Sequence, residues 1–103
     1  MIVYISIGNS DDKLTQQEWS DFVIETDILL HPGAPGTPVL ARHGNWRSRV
    51  DDPWQNACWC VEIKEGYADV LRAALRHQAR QHRQDSIAWA ECPNTEFLGA
   101  SND

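Results

Sequence analysis

Asn56-Ala-Cys-Trp-Cys-Val-Glu-Ile-Lys64 is the stretch on which the reading of the whole chain turns. Side chains along a strand alternate between two faces. Ala57, Trp59, Val61 and Ile63 therefore share one side, and Cys58, Cys60 and Glu62 share the other. The first set is a core face, so the stretch reads as the central strand of a small sheet against which other apolar segments pack or pair.

Upstream of it, residues 39–46 read as a strand interrupted by Gly44, followed by a polar loop over 47–55 with Asp51-Asp52-Pro53 as its turn. Residues 1–7 are rich in β formers and run into the turn cluster Gly8-Asn9-Ser10-Asp11-Asp12. Thr15-Gln-Gln-Glu18 has capping-box spacing, with Leu14 and Trp19 at the positions of a hydrophobic staple. Trp19, Phe22, Val23, Thr26 and Leu30 then recur at helical spacing, until three prolines and two glycines within 31–38 end the helix. Downstream, Glu65-Gly66 closes the central strand. Tyr67, Val70, Leu71, Ala74, Leu75, Gln78 and His82 mark the inner face of a second helix running to about Gln84. Residues 86–92 form a last strand, stopped by Pro93, and the tail frays from about residue 99.

The order β, α, β, β, α, β predicts a single α+β domain over residues 1–103. Its pattern is the ferredoxin-like sandwich, a four-stranded antiparallel sheet with strand order 4-1-3-2 and both helices on one face. Val3, Ile5, Ile7, Ile87 and Trp89 join the covered side. Alternation leaves Tyr4, Ser6, Leu40, Arg42, Trp46, Ala88, Ala90 and Cys92 with the two central cysteines on the open side. A face of this kind invites either a second copy of the chain or a ligand.

Composition limits the function. The chain of 103 residues has a net charge of −6, which lacks the basic footprint that nucleic-acid binding needs. No stretch approaches the roughly 20 apolar residues of a membrane span. Three cysteines and no recognisable leader place the expected compartment as the reducing cytoplasm. Cys58-Trp-Cys60 lacks the turn-borne spacing of structural zinc, so no metal and no cofactor are expected, and the thiols read as small hydrophobes. No serine or cysteine has a neighbouring base that would activate it.

The densest chemistry lies around the hairpin between the second and third strands. Trp46 and Trp54 can stack a planar group, Arg42, Arg47 and Arg49 can hold phosphate or carboxylate, and Asn56 with Tyr4 can complete such a site. The dull alternative is a loop whose two tryptophans pack on each other. His43 with Asp51 or Asp52 could form an acid/base pair. Arg72, Arg76 and Arg80 line one helix and could dock an acidic protein partner, or simply be its solvated face.

Tyr4-Ile-Ser-Ile-Gly-Asn-Ser-Asp-Asp-Lys-Leu-Thr15, His43-Gly-Asn-Trp46, Trp54-Gln-Asn-Ala-Cys-Trp59 and Gln84-Asp-Ser-Ile-Ala-Trp89 together resemble small proteins of actinobacteria and their phages, a group without an established activity. The resemblance implies a short protein that acts against host processes by masking a protein or sequestering a small signalling nucleotide. The resulting expectation is a non-catalytic homodimer that binds a small anionic, nucleotide-like ligand. A host-protein interaction module and a small dimeric enzyme using His43 are the alternatives.

Overall fold

The computed structural model describes residues 1–9, 13–49 and 51–100. The elements follow the predicted order: β1 (Ile2–Gly8), α1 (Gln16–Leu29), β2 (Val39–Arg47), β3 (Asn56–Ile63), α2 (Ala68–Gln81) and β4 (Ala88–Cys92). The sheet is antiparallel with order β2-β3-β1-β4, the ferredoxin-like arrangement.

Parity in β3 holds as the sequence requires. Ala57, Trp59, Val61 and Ile63 are buried at 1%, 0%, 0% and 1% exposure, with Val3, Ile5 and Ile7 beside them in β1. Phe22, Val23 and Thr26 of α1, and Leu71, Leu75 and Ala79 of α2, close the core from the helix side. Each of the large apolar members contributes roughly 1.5–3 kcal/mol through burial.

Three local features differ from expectation. Tyr67 and Val70 are 44% and 56% exposed rather than inward. The buried stripe of α2 runs 71, 75, 79, and Tyr67 lies at the cap, outside the helix. α2 also stops before Gln84. Its end is a Schellman motif in which Gln84 N–H donates to Ala79 C=O and Arg83 N–H to Arg80 C=O, with Arg83 left-handed at φ 57°. The third concerns β2, which carries register irregularities between Val39 and Ala41 and between Arg42 and Gly44. The first reverses the alternation, so Arg42 pairs with the core residue Val61 and turns to the helix side, not to the open face. The second restores it, so Trp46 pairs with Cys58 on the open side as expected.

Candidate functional site

Asn9 organises the corner where the site lies. It is 2% exposed, and its side chain donates to Leu14 C=O and to Gln55 Oε1 while accepting from Leu14 N–H. Gln55 in turn donates to Gln16 Oε1 at 2.8 Å. The exit of β1, the start of α1 and the end of the β2–β3 loop are thereby tied together. Asn9, read in the sequence only as part of a turn cluster, is thus a structural hub that nothing in the pattern announces; Ser10 to Asp12 lie outside the described residues.

α1 leaves this corner on its capping box, with Thr15 Oγ1 accepting from Glu18 N–H and Glu18 accepting from Thr15 N–H. The box pulls the Glu18 carboxyl below its ordinary value, chiefly through the Thr15 backbone donor, with Arg83 adding to it. Trp19, in the first turn of α1, packs edge-on to Phe22 and faces the underside of the hairpin.

Between α1 and the hairpin is a cleft of about 330 Å³, lined by Trp19, Ser20, Arg47, Ser48, Arg49 and Asn56 among others. Alternation explains the arginine. Arg47 pairs with the core-side residue Ala57, so it leaves the sheet on the helix side, while its neighbour Trp46 leaves on the other. Ser48 closes the hairpin: its N–H donates to Asn56 C=O and its hydroxyl accepts from Asn56 N–H. The Asn56 amide lies over Gly8, where a Cβ would sit 2.8 Å from Asn56 Oδ1, so a larger residue there would push the Asn56 amide aside. Arg49 is paired with Asp51 at 3.2 Å on the outside of the loop. Among the described residues, no carboxylate lines the cleft itself.

The predicted set therefore separates. Arg47, Arg49 and Asn56 come together in the cleft. Arg42 is occupied elsewhere: it bonds Asp27 Oδ1 at 2.9 Å, and the same oxygen accepts from Trp59 Nε1 at 2.9 Å. Trp54 is 47% exposed on the loop. Tyr4, Trp46 and His43 belong to the open side, where His43 Nε2 meets Glu62 at 3.1 Å rather than Asp51 or Asp52. Trp19, read from the sequence as a helix staple, is the aromatic group that the cleft uses.

The open face is nearly free of charge apart from the His43–Glu62 pair. Tyr4 sits opposite Cys60 and Ala90, and Ser6 opposite Cys58 and Ala88. A hydrogen bond with the Cys60 thiol, reinforced by the other two thiols, pushes the Tyr4 phenol above its ordinary value. All three cysteines are free and half-buried. Among the described residues no three His, Cys, Asp or Glu side chains are grouped so as to hold a metal ion, and no helix is long and apolar enough to cross a membrane.

A larger cleft, about 570 Å³, runs between the helices. It is lined by Glu18, Asp21 and Glu25 with His77, His82 and Arg83, and His82 is ion-paired to Glu25. Size favours this cleft, but its three carboxylates would repel an anion. No family model, no curated protein and no solved structure matches this chain, so the choice between clefts rests on their chemistry.

Proposed function

We propose that this chain is a non-catalytic binding protein for a small anionic, nucleotide-like ligand, held in the cleft between α1 and the β2–β3 hairpin. The observation that carries the reading is the charge of that cleft: it offers Arg47, with Arg49 at its rim paired to Asp51, and no lining carboxylate, in a chain of net charge −6. Arg47 can form a bidentate pair with phosphate or carboxylate. The Trp19 ring gives a planar group an apolar surface, and Ser20, Ser48 and Asn56 make its edge polar. In the phage setting that the sequence resemblance implies, binding of this kind would hold a signalling nucleotide out of circulation.

Calorimetric titration with a panel of nucleotides, cyclic nucleotides and ADP-ribose derivatives tests this. At least one should bind, and Arg47→Ala should weaken it by about tenfold or more, the scale of one lost charge-assisted contact. Trp46→Phe and Trp54→Phe should leave affinity unchanged, because both rings lie outside the cleft. A panel without any binder would sink the reading.

A second reading is a protein-interaction surface on α2. A groove of about 420 Å³ beside this helix has Leu75, Ala79, Ile87 and Trp89 as its floor and Arg72, Arg76 and Arg80 along it, a combination suited to an acidic, partly apolar segment. A pull-down partner lost on Arg76→Glu with Arg80→Glu, without nucleotide binding by the chain, would favour it.

A further inference from the structure

We propose that two copies of this chain pair through the free edge of β4, each laying the segment Glu96-Phe97-Leu98 that follows this strand into the α2–β4 groove of the other. The inference rests on the second reading of that groove and names its occupant.

β4 is the last strand in the order β2-β3-β1-β4, so one of its edges has no neighbour in the sheet. An open edge presents unpaired N–H and C=O groups and is a template for another strand. Beside this edge is the groove floored by Leu75, Ala79, Ile87 and Trp89. Arg72 is already engaged, with Glu91 at 2.7 Å and over the Trp89 ring at 4.6 Å. Arg76 and Arg80, in contrast, have no ion-pair partner among the described residues, and Asp85 at the groove's end is turned to Lys13 at 3.7 Å.

The same strand leads into a matching segment. Residues 93–100 are exposed throughout, and Phe97 and Leu98 are 91% and 82% exposed, more than any other large apolar side chain described. Two adjacent apolar side chains behind one carboxylate, Glu96, complement an apolar floor with two unpaired cations. Geometry brings them there. If two β4 strands pair antiparallel about a two-fold axis, the residues after Cys92 of one copy run past the start of β4 of the other. The four residues from Cys92 to Glu96 span about 13 Å when extended, which carries Phe97 and Leu98 over Ile87 and the last turn of α2. Each copy gives an arm and receives one, so the contact is isologous and closes at two. The five-residue length of β4 and Pro93 immediately after it limit the edge to such a closed pair, since short, proline-ended edges resist open-ended strand addition.

Sedimentation velocity on the full chain across micromolar concentrations is the test, and it should show a dimer. Phe97→Ser with Leu98→Ser changes only exposed side chains and should raise the dimer Kd by about tenfold or more, with the circular dichroism unchanged. Arg80→Glu and Glu96→Arg should each weaken association severalfold, and an equimolar mixture of the two should recover nearly wild-type affinity, because each groove then meets an arm of opposite charge. A chain that stays monomeric overturns the proposal, as does a dimer indifferent to Phe97 and Leu98. Mixing without recovery also overturns it, because an arm lying on its own groove would be rescued only by both substitutions in one chain. The α2 reading itself is tested separately by the Arg76 and Arg80 pull-down.

Discussion

The carboxylate of Asp27 accepts from the Trp59 indole and from the Arg42 guanidinium, and Trp59 is fully buried. Asp27→Ala strands a buried donor and a largely buried cation together, so it should cost about 2–4 kcal/mol in urea denaturation. Asp27→Asn, which keeps an acceptor, should cost less. Arg83 holds a left-handed conformation at the end of α2, where glycine is the usual choice. Arg83→Gly removes a conformational cost of about 1 kcal/mol, offset in part by the lost exposed pair with Glu18, and a slight net rise in stability is the expected result. Tyr4 gives a spectroscopic check. Of the two tyrosines, it should titrate above the ordinary phenol range near pH 10 in ultraviolet difference spectra, and Cys60→Ala, which removes the largest cause, should move it back towards that range. A raised phenol favours the folded state while protonated, so its contribution is present below pH 10 and is lost as pH rises beyond. None of the roles of Asp27 and Arg83 is legible in the sequence. Asp27 reads as a wet helix position, and Arg42 falls on the wrong face when β2 is counted without its irregularities.

The elements themselves were largely legible. Thr15 to Glu18 spells the start of α1 because a capping box is written in side chains four positions wide, and Thr15→Ala should cost about 1 kcal/mol. The lowered Glu18 carboxyl implies that its own half of the box, the bond from Thr15 N–H, is at full strength above the ordinary glutamate value of about 4.3 and fades as pH falls through the folded value; Glu18→Gln should flatten that part of the acid limb. β3 was equally plain, since strict alternation fixes both faces. β2 was not: Gly44 hints at its second irregularity, but nothing at Leu40 signals the first. The end of α2 was missed for a related reason, as Arg83 occupies the position where a glycine would have marked the stop.

At the scale of the molecule, the alternation of strand and helix patterns was enough for the topology, because short connections leave few ways to cover one face of four strands. The cleft was half legible. Arg47 and Asn56 follow from the hairpin's composition, but Trp19 joins them only because the Asn9–Gln55–Gln16 bonds fold the loop against α1. A ligand bridging those two elements should stabilise the whole domain by mass action. Pyrophosphate at millimolar concentration should raise the Tm by a few degrees when it exceeds its Kd, and Arg47→Ala should abolish the shift. Finally, the burial of Trp59 at 0% exposure, against the partial exposure of Trp19, Trp46, Trp54 and Trp89, gives the molecule an internal dye. Acrylamide should extinguish four emitters and leave a blue-shifted one, and that remaining glow should vanish only when the sheet parts from its helices.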